Sequence, residues 1–319
     1  MLSEDSIENL KSFFIATADH ELAIEKQRQY LARLGCTDGS QEVADGEFEP
    51  YATFVRLDRE NKGYLSPKDF YNFMQENGFD HVTMKDCQYL VKYFDSDEDG
   101  VLNYTDYMQL VITCDDTYLR AVVTQRDPYG VNPDEYLSPI LERELAILFE
   151  KEFAYHREIS IICSRTKETP GFSYDKAFIE ICNYGYSDED GYESIDHTSI
   201  DNFLRKNGFA STEEELTAIV RRIDVSADGR CSYNEFEESL KPVVLDEPSE
   251  YESAPKLSNP SRVKIENLRA GGYMFPAETS HDSRGKESTY AFKDSNFSKK
   301  YLPEELPISS SYYKNRFSD

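Results

Sequence analysis

Two twelve-residue stretches constrain this chain more than anything else in it: "DSDEDGVLNYTD" at 95–106 and "DVSADGRCSYNE" at 224–235. Each places oxygen-bearing side chains at alternate positions, a glycine at position 6 and a carboxylate at position 12. Carboxylates packed this closely repel one another unless a cation relieves them. A hard cation such as Ca²⁺ takes about six to eight oxygens, supplied from positions 1, 3, 5, 7, 9 and 12 of such a loop, with glycine allowing the turn at 6. The first loop then offers Asp95, Asp97 and Asp99, the carbonyl of Val101, Asn103 and Asp106. The second offers Asp224, Ser226, Asp228, the carbonyl of Arg230, Ser232 and Glu235.

The loops are not equivalent. Glu235 is long enough to chelate with both oxygens, whereas Asp106 is one methylene shorter. The loop at Asp224 is therefore expected to select Ca²⁺, and the loop at Asp95 to accept Mg²⁺ as well.

Each loop ends a matching run of helical periodicity. "FYNFMQENGF" (70–79) and "IDNFLRKNGF" (200–209) share apolar residues at i, i+3 and i+4 and close on Asn-Gly-Phe, glycine being a natural helix stop. A second stripe follows in each: Cys87, Leu90, Val91 and Phe94, then Leu216, Ile219, Val220 and Ile223. Ser211 with Glu214 reads as a capping box for the latter. Parallel spacing in unlike sequence indicates duplication. Further helical material precedes each copy, at 20–35 and 141–162. Leu102 and Cys231, at position 8 of their loops, are expected to pair with an upstream partner loop.

Those partners are worn. "DRENKGYLSPKD" (58–69) keeps Asp58, Gly63 and Asp69 but sets Lys62 at position 5, where it repels a cation. In the second copy, with Ile195 at position 8, a loop from Asp188 leaves Glu193 where glycine belongs and Ser199 at position 12; a start near Cys182 is six residues too long. Both are expected to be structural only. "RDPYGVNPDEYLSP" (126–139), with three prolines, reads as a linker. The organisation expected is 1–125, a linker at 126–137, 138–243, and a tail at 244–319.

The loops, their flanking helices and their duplication resemble the EF-hand superfamily, over roughly 50–115 and 175–240. The resemblance implies an all-α fold of two lobes of paired hands, with extra N-terminal helices and an extended irregular C-terminal tail. The N-terminal helix, "YATFVRLDRENKGYLSPKDF", a second acidic hand and then the repeat are also similar in organisation to multi-EF-hand proteins of ciliate and flagellate axonemes. With only 5 Met, a methionine-lined groove that re-packs around many targets is not expected.

Charge excludes some functions. At a net −26 the chain is a poor partner for nucleic acid or an anionic membrane. No run of about 18 apolar residues is present to span a bilayer. "MLSEDSIENL" lacks the basic and apolar regions of a secretory signal, and six scattered cysteines without a CxxC pair suit a reduced, intracellular setting. No phosphate loop, GxSxG or HExxH occurs, and the five histidines are dispersed, so no enzyme is expected.

The tail is a different polymer. Residues 256–319 carry eleven Lys/Arg against eight Asp/Glu, while the preceding 255 residues carry 24 against 53. Nine aromatics punctuate the tail: Tyr273, Phe275, Tyr290, Phe292, Phe297, Tyr301, Tyr312, Tyr313 and Phe317. Aromatic anchors on a basic strand suit a segment that orders on an acidic surface, such as the protein's own lobes, tubulin or other axonemal proteins; the alternative is a disordered tail with incidental aromatics. Two functions follow as expectations. One is a scaffold of a microtubule-based assembly, cytoplasmic and cytoskeletal, in the cilium. The other is a soluble calcium sensor whose lobes open on ion binding.

Overall fold

A computed structural model describes residues 2–35, 47–129, 135–183, 194–243 and 245. The tail at 256–319, the loop start at Asp188 and Glu193 lie outside them. Eleven helices are present among the described residues, and strand pairing is limited to isolated bridges, so the fold is all-α. They are α1 (Glu4–Arg33), α2 (Pro50–Leu57), α3 (Pro67–Glu76), α4 (Met84–Phe94), α5 (Tyr104–Val111), α6 (Thr117–Thr124), α7 (Pro139–Glu168), α8 (Tyr174–Cys182), α9 (His197–Lys206), α10 (Glu213–Ile223) and α11 (Tyr233–Leu240).

The duplication is visible atom by atom. At the ends of α3 and α9, the side-chain amides of Asn77 and Asn207 donate to the carbonyls of Phe73 and Phe203. Phe79 N–H donates to Met74 O and Phe209 N–H to Leu204 O, closing the same turn in both copies. Gly78 (φ +79°) and Gly208 (φ +83°) take the left-handed conformation this turn requires. Leu65 pairs antiparallel with Leu102, and Ile195 with Cys231, through reciprocal N–H to carbonyl bonds of 2.8–2.9 Å. These are the position-8 partnerships expected of paired loops. One cap differs from expectation: α10 is capped by Thr212 with Glu215, one residue on, while Ser211 donates instead to Asp201.

The long helices α1 and α7 are 30 residues each; α1 begins well upstream of 20–35 and ends at Arg33, and α7 extends past both ends of 141–162. Ser3 caps α1, whose first turn is acidic, and Ser138 caps α7 ahead of Pro139. They pack along one another and also reach the hands. Phe149 of α7 stacks edge-to-face on Phe70 and Phe73 of α3, and Phe14 of α1 on Phe203 of α9. Residues of both copies thus belong to one hydrophobic cluster. Both described flanks of the 126–137 segment are anchored: Arg126 donates to Ala32 O and Phe48 O, and Leu137 is buried with its N–H on Glu142.

Where α1, α7 and α10 meet, the contact is ionic. Glu21, Arg28, Glu152 and Arg222 have side chains no more than 4 % exposed. Arg28 bonds Glu21 at 3.2 Å and Glu152 at 2.9 Å; Arg222 bonds Glu21 at 3.1 Å and Glu152 at 2.6 Å. Two cations alternating with two anions offset much of the desolvation each would suffer alone. A third buried cation, Arg56, joins α2 to α7 through Glu142 at 2.6 Å and also reaches Glu76.

Candidate metal centre

Three loops share one backbone scaffold, built by the carboxylate at position 1. Asp95 caps the end of α4 and accepts the amides of Asp99 (3.2 Å) and Gly100 (2.7 Å). Asp224 caps α10 and accepts those of Asp228 (3.4 Å) and Gly229 (2.7 Å). Asp58 caps α2 and accepts those of Lys62 (2.9 Å) and Gly63 (2.6 Å). Position 4 is left-handed in all three, at Asn61 (φ 52°), Glu98 (57°) and Ala227 (56°). A non-glycine residue there is strained on the order of 1 kcal/mol, so the turn is imposed by the loop as a whole.

In the loop at Asp95, the carboxylates of Asp95, Asp97 and Asp99 each bring an oxygen within 4.8 Å of the others. Among the described residues this is the one such gathering of three acidic groups. Burial raises the Asp95 carboxyl above its usual range, and neighbouring Asp97 raises it further, against the Gly100 and Asp99 amides. Asp99 is raised by burial, with Asp97 and Asp106 adding to it and the Val101 amide opposing. The three carboxylates thus converge on a space that suits a cation, burial being the larger part of each shift and like charge adding to it. The donor set, all oxygen, fits a hard one. Asp106, fully buried at the start of α5, is not part of the triad: Ser96 donates to its Oδ1 at 2.6 Å and the Asn103 amide to its Oδ2 at 3.1 Å. Val101, at position 7, is buried with its N–H on Asp99.

The loop at Asp224 has the scaffold without the gathering. Glu235 accepts Ser226 N–H on Oε1 at 2.8 Å, and Ser232 N–H and hydroxyl on Oε2 at 2.9 and 2.7 Å. Burial works to raise this carboxyl, but the Ser232 and Ser226 hydrogen bonds outweigh it and hold it below its usual range. Ser226 also donates to Asp224, and Arg230 donates its N–H to Asp228. Glu235 is thus held ionised as the N3 partner in the capping box of α11, whose cap is Ser232.

The worn loops divide differently. In 58–69, the Lys62 ammonium donates to both oxygens of Asp69, at 2.8 and 2.7 Å, and lies 3.9 Å from Glu60. The position-5 lysine does more than repel a cation, since its own charge neutralises the position-12 carboxylate. In the fourth loop, the described part ends on Ser199, which bonds Asp196 and brings no carboxylate to position 12. Sequence reasoning missed the ammonium contact and the buried ionic cluster. The first carried a signal, a lysine four residues from Asp58 and seven from Asp69; the second carried none.

Residues 51–112 match the family model of the EF-hand domain pair. This stretch is an EF-hand pair. Its two hands are the loops at Asp58 and Asp95, joined by the Leu65–Leu102 bridge. The EF-hand identifies calcium as the cation, with magnesium admissible in such loops. No curated protein matches the chain.

Proposed function

We propose that this calcium-binding protein is a structural component of a microtubule-based assembly, the ciliary axoneme, docking as a preformed body and engaging acidic partners through residues 256–319. One observation carries the reading. The apolar faces that an EF-hand sensor would open towards a target are occupied by the chain's own long helices, through Phe149 on Phe70 and Phe73 and Phe14 on Phe203. Opening those faces would mean extracting α1 and α7 from a common core, a cost no ion at a single loop readily offsets. Calcium then serves rigidity, held by Asp95, Asp97, Asp99 and Asp106 with the Val101 carbonyl, and by Asp224, Ser226, Asp228 and Glu235 with the Arg230 carbonyl.

Detergent extraction of cells with calcium and with chelator tests this. Retention in the insoluble cytoskeleton under both conditions, lost on deletion of 256–319, is expected. Free solubility refutes the scaffold and favours the sensor, which the acidic triad at Asp95 also supports. A sensor would further show a large calcium-dependent rise in binding of an apolar dye.

A further inference from the structure

The entry helices of the two acidic loops touch each other. α4 delivers the chain to Asp95 and α10 delivers it to Asp224, and their last turns are locked together. The Tyr93 hydroxyl donates to the Arg222 carbonyl at 3.2 Å. The Arg222 guanidinium is stacked between two rings, 4.2 Å from the centroid of Tyr93 and 4.2 Å from that of Tyr155, with Phe94 at 5.8 Å. Tyr93 and Arg222 each stand two residues before the first candidate ligand of their loop.

The exit of the first loop joins the same cluster. Arg28, which shares Glu21 and Glu152 with Arg222, donates its Nε to the Leu110 carbonyl in the last turn of α5, at 2.9 Å. Just beyond, Glu25 accepts the amides of Cys114 and Asp115, and Arg221 of α10 pairs with Asp115. The loop at Asp95 is therefore gripped at both ends by groups that also fix the helix entering the loop at Asp224.

We propose that the two cation loops are coupled through the Tyr93–Arg222 contact, an ion in one raising the affinity of the other. This rests on reading both loops as cation sites. It differs from the linkage inside each hand pair, which runs through the Leu65–Leu102 and Ile195–Cys231 bridges. The physical basis is shared ordering: an ion that fixes the end of α4 also fixes the end of α10 through a stacked, desolvated contact, so the second ion finds its entry helix already positioned. Because coupling is a free energy between sites, each loop must shift the other by the same factor.

Calorimetric calcium titration of the full chain, compared with D99N and E235Q, measures that factor. Disabling the Asp224 loop with E235Q should weaken calcium at the Asp95 loop at least about fivefold, and D99N should weaken the Asp224 loop equally. In a Y93L background the factor should fall below about twofold. Hydrogen exchange gives a second readout that needs no change at the contact: in E235Q, calcium should slow the amides of 220–224. Independent affinities in the unaltered chain, a factor that survives Y93L, or unchanged exchange at 220–224 would each overturn the coupling while leaving both sites intact. Failure of either loop to bind calcium would remove the site reading and the coupling together.

Discussion

Replacing Lys62 with aspartate should convert an ion-independent hand into an ion-dependent one. The ammonium makes a bidentate contact with Asp69, at 2.7 and 2.8 Å, with side chains 18 % and 8 % exposed. A charge-assisted bond of this kind contributes about 1.5–3 kcal/mol, and partial exposure argues for the lower part of that range, about 2 kcal/mol. A carboxylate in its place, facing Asp58 and Asp69, adds repulsion on the order of 1 kcal/mol. In chelator, K62D should therefore lose about 3 kcal/mol, or roughly 6–12 °C in Tm for a folded body of this size. The loop would then carry Asp58, Glu60 and the new aspartate on the same scaffold that holds Asp95 and Asp99. Calcium at about a hundred times its Kd returns about 2.7 kcal/mol, nearly the whole deficit. The assay is thermal unfolding by circular dichroism of K62D and the unaltered chain, each with calcium and with chelator, reading the difference between proteins so that the other loops cancel. K62M serves as control, destabilised equally in both conditions. A K62D deficit of the same size with and without calcium, or none in chelator, would refute the claim that the lysine stands in for an ion.

Acid should weaken the fold through His156, which is buried against Tyr93, Tyr155, Arg222 and Glu152 and depressed to about 3 by burial and by Arg222. Between its unfolded value near 6.5 and about 3, only the unfolded chain binds the proton, so stability falls with pH across that window. From pH 7 to 5 the loss is about 2 kcal/mol, and urea unfolding of H156F should show a slope shallower by that amount. At Asp99 the sign is opposite: a raised carboxyl disfavours the ionised fold at neutral pH. D99N should stabilise the ion-free protein by no more than about 0.5 kcal/mol after solvent screening, and should abolish the calcium-induced stabilisation at that loop in the same unfolding experiment.

What was legible follows from what a one-dimensional pattern encodes. Loop ligands and helix stripes are local, so Asp95–Asp106, Asp224–Glu235 and the paired Asn-Gly-Phe stops could be read from spacing. The capping box slipped by one residue because Ser211-Thr212 and Glu214-Glu215 satisfy the motif in either register; tertiary placement of Asp201 claims Ser211 and leaves Thr212 for the helix. Lysine at position 5 was legible as a charge, but its bond to Asp69 depends on a turn that brings the two together across the loop. Nothing local marks Glu21, Arg28, Glu152 and Arg222 as buried. Each is an ordinary charged residue on a helix, and burial arises because three helices turn those faces on one another. The gathering of carboxylates at Asp95 rather than at Glu235 is likewise a matter of side-chain direction.

The cluster that closes α1 against α7 and α10 also sets a timetable. Glu21 is 201 residues from Arg222 along the chain. At about 5–20 residues per second of synthesis, α1 emerges roughly 10–40 s before its last partner exists. Until α7 is complete, a helix with Leu10, Phe13, Phe14, Ile24 and Leu31 on one side waits with much of its future interior surface uncovered, and its contact with α10 waits longer still. The hand pair at 51–112 can form meanwhile from near neighbours, but α1 cannot complete its contacts from them. α1 is thus fully enclosed only once α10 has been made, a long-range contact that forms late in synthesis.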